Sequence, residues 1–507
     1  MSEPRRVDLG ALQRVLMEHE GHVGAFERVL GFRPATASAY KGVHLMNDLA
    51  QCALGGAPEH GGDLLARVVR TDIEGEDNTE GVMRADPRFG VAFGRAFPTE
   101  LGRDRVEAIR AAARTVLTFD GGVYQPGTAM CSPLASHRDL LGFEQFRRFG
   151  VGRLLADVLP AEGLERLRAH MLSDGDPVTR AFRPLLLAAP LVDKQRRAAP
   201  VERSAFDRSL GAALTTLMGQ RLSKPAMLRT VALGGSLGLV LKILGAGREG
   251  GRPALLALAN EEERTPKPLR EEAVASFRRG IDSLDRRVAE AASSHPLAGD
   301  LMRKAGARAA FVEVPHSRDV TEIASSAIAA ARAAGSARKG GDDAEDKIYW
   351  PDDFAVRFGR KVGCVLPQSD RAGWGRYLAL TPELVEVLVL MHVARGERPM
   401  PWSAFCGMVR EGLGVVVGAN ATEDIAFLAR AGVENVSDES LSDNAEQMLA
   451  RAAERGVARR NADEGEEILL GCVDVADGTA PLSLGRRFAI LESSGGQDAD
   501  IGTADTG

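Results

Sequence analysis

Between residues 376 and 471 the apolar positions fall into an ordered series of helical and strand-like stretches, and the rest of the chain is best read around them. Thr381-Pro382-Glu383 opens a helix with a hydroxyl cap, a proline at the first helical position and an acid at the positive end of the dipole. Residues 384–394 are apolar on nearly every face, which predicts a buried central helix. Trp402, Phe405, Cys406, Val409 and Leu413 recur at helical spacing, and Gly412 and Gly414 stop that helix. The β-branched run Val415-Val416-Val417 predicts a short strand, and a small helix follows at 425–431, ended by Gly432. Ser440-Leu441-Ser442-Asp443 matches a capping box ahead of the stripe Ala445, Met448, Leu449 and Ala452, which Gly456 ends. Residues 457–460 and 466–470 flank the turn-rich 461–465, the pattern of a β-hairpin. Helices followed by a hairpin in this order predict a C-terminal winged helix-turn-helix.

Earlier in the chain, helical stripes run through Leu9, Leu12, Val15 and Leu16, then Ala25, Val29 and Leu30, then residues 40–54. The longest apolar run, 231–244, is broken by three glycines and Lys242, so it is expected as a core helix and not as a membrane span. Residues 253–258 are strand-like. Residues 337–347 are polar, charged and glycine-containing, the composition of a linker, and 348–380 is expected as a short β-containing lead-in. The chain is therefore expected to be mainly α with small β elements (α+β) and multidomain. The expected units are an N-terminal mixed helical domain (1–119), a central helical domain with a basic region (120–336), the linker (337–347), the winged-helix domain (348–485) and a disordered, Gly/Asp/Ser-rich tail (486–507).

Charge changes what the winged helix is expected to meet. The 507-residue chain carries a net charge of −6, and residues 375–471 hold nine Lys+Arg against sixteen Asp+Glu. Phosphate backbones are bound through neutralising cations, so this acidic segment favours a protein partner over unaided DNA binding. Arg451, Arg455, Arg459 and Arg460 still cluster where the expected recognition helix meets the hairpin, and they are candidate contacts. Residues 130–230 have the opposite balance, sixteen basic against ten acidic, and include Arg147, Arg148, Arg196 and Arg197. Those four are the candidate phosphate-facing or acidic-partner residues. Few aromatics are interleaved with them, so base stacking is not indicated.

Candidate chemistry is sparse. The five cysteines are scattered, with no CxxC, which fits a reducing compartment, and residues 1–10 lack the apolar core of a signal peptide; a cytoplasmic location is expected. His19-Glu20-Gly21-His22 has its histidines three apart, not the four that a zinc-protease helix requires, and the acidic stretch 72–77 lacks EF-hand spacing. Gly245-Ala246-Gly247-Arg248-Glu249-Gly250 has the GxGxxG form, but it follows a helix and precedes a strand, the reverse of the dinucleotide-binding context. No P-loop is present, and Cys131 with His137 lacks an orienting signature. Asp352 and Asp353, with Glu345, Asp346 and Lys347, have residue types suited to a metal-dependent nuclease, but in an inverted order and beside a linker; Asp174 and Asp176 fit a turn. No catalytic residue, metal ligand or cofactor is assigned.

The run at 375–386, residues 405–418 and Gly456-Val457-Ala458-Arg459-Arg460 together resemble the C-terminal winged-helix segment of accessory proteins in bacterial multi-gene anti-phage systems linked to DNA modification, of the methylation-associated type. The likeness covers about 100 residues, rests on spacing and brings no catalytic residues. It implies an accessory subunit whose partners are other proteins of a multi-subunit complex, with double-stranded DNA as a second candidate partner and no membrane. The expected function is a non-catalytic DNA- or protein-docking subunit. The alternative is a metal-dependent nuclease with dispersed carboxylate ligands.

Overall fold

In the computed structural model the described residues are 5–17, 24–34, 42–53, 150–172, 203–222, 224–259, 265–298, 311–314, 317, 319–337, 350–368, 375–394, 400–460 and 467–469. They are mostly helical, with small sheets. In chain order they form β1 (Arg5–Asp8), α1 (Leu9–Met17), α2 (Ala25–Leu30), α3 (Gly42–Ala53), α4 (Val151–Val158), α5 (Ala161–Leu172), α6 (Ala205–Met218) and α7 (Lys224–Gly245). Next come β2 (Leu255–Ala259), α8 (Lys267–Ser293), β3 (Phe311–Val314), α9 (Val320–Ala337), α10 (Pro351–Val362), β4 (Val365–Leu366) and β5 (Tyr377–Leu380). The last elements are α11 (Pro382–His392), β6 (Met400–Pro401), α12 (Trp402–Leu413), β7 (Val415–Val416), α13 (Ala421–Arg430), α14 (Asp438–Glu454), β8 (Ala458–Arg460) and β9 (Glu467–Leu469).

A four-stranded mixed sheet of order β4-β5-β2-β7 lies at the centre. β2 runs parallel to both β5 and β7, pairing Leu255 and Leu256 with Val415 and Val416, and residues 257–259 with 378–380. Both faces of this sheet are covered, so β2 reads Leu-Leu-Ala-Leu-Ala with no polar position, as a doubly buried parallel strand should. Alternation sorts the side chains. Leu256, Leu258, Tyr377, Ala379 and Val416 face Leu269 and Ala273 of α8 and Leu428 of α13. Leu255, Ala257, Ala259, Leu378, Leu380 and Val415 face the larger core built on α6, α7 and α11.

Helix α7 runs through that larger core. Residues 226–245 are long and apolar enough to cross a membrane, but 89% of the window is buried inside the structure. It packs against α3, α6, α8, α10 and α11, so its apolar surface is met by protein on every side, as the sequence led us to expect. Several of the polar groups that reach this core are paired, although the Ser236 hydroxyl of α7 is buried without a hydrogen-bond partner among the described residues. Ser204 and Asp207 form a capping box on α6, and Asp207 also takes Lys242 of α7 at 2.6 Å. Gln220, buried past the end of α6, donates to the carbonyls of Leu390 and Val393 at 2.9 and 2.8 Å and so satisfies the C-terminus of α11.

Two features differ from the sequence reading. Within 348–380 the expected β content is present as β4 and β5, but residues 351–362 ahead of them form a helix. Phe354, Val356 and Phe358 alternate as in a strand, but Phe354, Phe358 and Val362 also recur every four residues, and Pro351 at the helix start with Gly363 at φ 87° beyond its end fix the helical alternative. The boundary at 337–347 also does not separate two sheets, because β5 and β7 from beyond it both hydrogen-bond to β2 from before it.

Candidate recognition unit

Helices α11 and α12 begin where the sequence placed them, whereas α13 begins at Ala421, four residues before the expected start. The Thr381 hydroxyl accepts the Leu384 N–H at 3.3 Å, Pro382 fills the first turn, and residues 384–391 of α11 are all buried. β6 leads directly into α12, which ends on Gly414 at φ 71°. α14 starts one turn earlier than the expected capping box, because the Ser437 hydroxyl takes the Ser440 N–H at 3.2 Å. It ends at Gly456, and β8 then pairs antiparallel with β9, Arg459 opposite Ile468. β9 pairs on its other side with β6, giving a three-stranded sheet of order β6-β9-β8.

Three polar networks fix α14 and its neighbours. Asn444, 3% exposed, donates to the carbonyls of Ala257 and Val417 at 2.9 and 2.8 Å and accepts the Ala259 N–H at 3.0 Å, so α14 is hydrogen-bonded to the rim of the central sheet. Arg455 donates from Nε to Glu386 at 2.9 Å and lies 3.4 Å from Glu383. Arg410 of α12 reaches Asp424 at 2.8 Å and Glu411 at 3.2 Å, and also holds Glu423. Burial lowers the Arg410 pKa, but the hydrogen bonds to Glu423 and Asp424 outweigh it and raise the pKa above its ordinary value. Burial raises the Asp424 carboxyl, with the bonds from Arg410 acting in the opposite direction.

These networks reassign some of the arginines singled out in the sequence. Arg451 and Arg455 are 8% and 7% exposed, so both face inward, and Arg455 is held by two glutamates instead of being presented to a ligand. The sequence signal for this was Glu386, a lone acid inside the apolar run of α11, which requires a buried cation nearby. Arg459 and Arg460 lie on β8, in register with Ile468 and Glu467. Arg147, Arg148, Arg196 and Arg197 fall outside the described residues, as do the His19–His22 stretch, the acidic loop 72–77, Cys131, His137, Asp174, Asp176 and the tail 486–507. The outward face of α14 carries Asp438, Glu439, Ser442, Asp443, Glu446, Ala450, Ala453 and Glu454, so the helix shows solvent a wholly acidic set of charges.

The two described carboxylates among those considered for nuclease chemistry, Asp352 and Asp353, are engaged in ion pairs. Asp352 at the start of α10 lies 2.8 Å from Arg332 of α9, which also pairs with Asp285 of α8 at 2.5 Å and sits 4.4 Å over the Trp350 ring. Asp353 pairs with Arg357 one turn on, at 3.0 Å. Glu345, Asp346 and Lys347 lie outside the described residues, and among the described residues no three His, Cys, Asp or Glu side chains are grouped to hold a metal ion. Burial pushes the Cys364 thiol up to about 12, so it is not a thiolate nucleophile.

Asp285 yields a pH prediction. Burial raises its pKa to about 6 from 3.8, and Asp352 across the shared Arg332 adds to the rise while Arg332 itself opposes it. A carboxyl whose folded pKa is raised binds its proton more tightly in the folded state. Its contribution is therefore fully present below about 3.8 and is lost as pH climbs to about 6. Urea melts across that window should show Asp285→Asn removing part of the fall in stability that the wild-type protein shows on going up in pH. An identical pH profile for the two proteins would refute this assignment.

The GxGxxG stretch joins α7 to β2, confirming it as a helix-to-strand loop. No family model, no curated protein and no solved structure matches the chain.

Proposed function

We propose that the C-terminal elements form a winged helix-turn-helix that docks a protein partner, within a non-catalytic subunit of a cytoplasmic bacterial multi-protein complex. The topology supports the fold: helix α11, strand β6, helix α12, helix α14, then the β8–β9 hairpin, with the last strand between the other two. β7 and α13 are interposed between the second and third helices, and this insertion ties the unit to the central sheet. The third helix of such a unit is its recognition helix, and here that is α14.

The observation that carries the protein-facing reading is the acidic outer face of α14. Phosphate contact needs exposed cations, yet the helix turns its arginines inward and its carboxylates outward. A partner surface with complementary basic groups would be steered and oriented by such a face. The placement in an anti-phage system rests on the sequence resemblance alone. The nuclease alternative has no favouring observation among the described residues.

The test uses the full-length chain purified with its native complex, comparing wild type with Glu439→Lys/Asp443→Lys/Glu446→Lys. These three side chains are exposed, so folding should be retained. The variant is expected to lose its co-purifying protein partner while keeping its own melting temperature. Recovery of the same partner in the same amount would show that the α14 face is not the docking surface.

A further inference from the structure

A group of unpaired positive charges among the described residues lies away from α14, where the loop after α7 meets α8. A Cβ on Gly247 would come 1.9 Å from the Ser283 carbonyl oxygen, so only a glycine lets the loop backbone lie against α8 at that point. Ser283 lies four residues after Arg279 and three before Arg286, on one helical face with both. The clamp at Gly247 thus sets the next residue, Arg248, beside both arginines. Arg279 is held on its far side by the turn after α13, where a Cβ on Gly432 would meet its Nη1 at 2.5 Å.

Among the described residues these guanidinium groups have no carboxylate of their own. Arg279 and Arg286 are exposed; Arg248 is half-buried, and its Nε is buried without a hydrogen-bond partner. No carboxylate among the described residues lies within ion-pair distance of Arg248, Arg279 or Arg286, although Asp282 shares the same face of α8. Neighbouring cations on α8 behave differently: Lys267 pairs with Glu271 at 3.7 Å, and Arg287 with Glu290 at 2.9 Å. Burial lowers the Arg248 pKa, and the charges of Arg279 and Arg286 lower it further, as expected for cations gathered without a counter-ion.

We propose that Arg248, Arg279 and Arg286 form a binding site for the backbone phosphates of duplex DNA. Three features favour this ligand. Every exposed position of α8 from 271 to 290 is charged, so the face has none of the apolar anchors that give a protein interface its energy. No aromatic side chain is exposed there on which an unpaired base could stack. Phosphate contact, by contrast, needs only positioned cations. Arg279 and Arg286 are seven residues apart, about 10 Å along the helix axis, which is the length of about three steps along one DNA strand at about 3.4 Å per charge. The site is remote in sequence from the acidic α14 face and does not depend on the docking role proposed for it.

The test measures binding of the full-length protein to a fluorescein-labelled duplex by anisotropy across a series of NaCl concentrations. Each phosphate contact contributes about 0.9 to the slope of log K against log salt. Arg248→Gln/Arg279→Gln/Arg286→Gln should therefore reduce that slope by about 2 to 3 and weaken binding at low salt by at least about tenfold. The double variant Arg279→Gln/Arg286→Gln alters only exposed side chains, so it should fold even if the triple does not, and it should reduce the slope by about 2. Arg287→Gln removes a paired cation on the same helix and should leave the slope within error of wild type. An unchanged slope in the double variant would overturn the proposal. So would a wild-type protein that binds no duplex at low salt, or one whose duplex binding is abolished equally by Arg287→Gln. Failure here is distinguishable from failure of the docking role, because the α14 charge reversal adds exposed cations and should not weaken DNA binding, while the arginine variants should leave partner recovery intact.

Discussion

Arg455→Ala is expected to destabilise the protein by about 3–5 kcal/mol, the cost of leaving a buried charge without its partner. The expectation follows from Glu386, which is 0% exposed on a helix whose positions 384, 385 and 387–391 are all apolar and buried, and whose carboxylate receives the Arg455 Nε at 2.9 Å. With the guanidinium gone, the fully buried Glu386 carboxylate loses the cation that offsets its desolvation. Glu386→Ala should cost a similar amount for the mirror reason, although Glu383 at 3.4 Å leaves Arg455 a second, partly exposed partner. Replacing both, as Glu386→Leu/Arg455→Met, should recover most of the loss, because two apolar side chains of similar size need no counter-charge. Urea melts of the four proteins read this directly. A loss below about 1 kcal/mol for Arg455→Ala, the range of an exposed ion pair, would show that the pair is solvated and that Arg455 is free for surface recognition after all.

How much of this could be read from the sequence depended on whether the deciding contacts were local. The cap of α11 at Thr381, the end of α12 at Gly414, the Val415–Val416 strand and the β8–β9 hairpin are set by residues a few positions apart, and the pattern located each of them. α10 was not foreseen within the expected β-containing stretch, because Phe354, Val356 and Phe358 satisfy a period of two as well as one of four over so short a length. The pairing of β2 with β5 and β7 joins residues more than a hundred positions apart and leaves no mark in local periodicity, beyond an apolar run that fits several partners. The candidate sites divide along the same line. A cluster of arginines at 451–460 is visible in the chain, but which of them face inward depends on Glu386 of a different helix. The cluster of Arg248, Arg279 and Arg286 is not visible at all, because a loop and a helix meet there through a glycine. Net charge over residues 130–230 pointed elsewhere, and several of its described arginines are satisfied locally: Arg166 by Glu162 at 2.6 Å, Arg203 by the Leu159 carbonyl at 3.1 Å, and Arg208 by the Arg203 carbonyl at 2.7 Å.

A fragment consisting of residues 348–485 is expected not to fold with native stability, even though it holds every element from α10 to β9. The fragment lacks β2, which separates β5 from β7 and supplies the backbone partners of both. Its loss exposes the strand edges of β5 and β7 and uncovers Leu378, Ala379, Leu380, Val415 and Val416, all of which are at most 1% exposed in the intact chain. The three β2 leucines alone, Leu255, Leu256 and Leu258, are each 0% exposed, and at about 1.5–3 kcal/mol for each buried side chain they represent about 5–9 kcal/mol. A whole domain is stable by only about 5–15 kcal/mol. Asn444 adds to the loss, since two of its three hydrogen bonds are to Ala257 and Ala259, and without them a buried amide on α14 is left unsatisfied. Unpaired apolar edges of this kind invite association, so the fragment should aggregate or give a broad, non-cooperative melt, whereas a chain beginning at residue 203 restores β2, α6 and α7 and should recover cooperative unfolding. Circular dichroism melts and size-exclusion chromatography of the two fragments decide the matter. A monomeric 348–485 fragment with a sharp transition would mean that the C-terminal unit is autonomous and that its pairing with β2 contributes little to its stability.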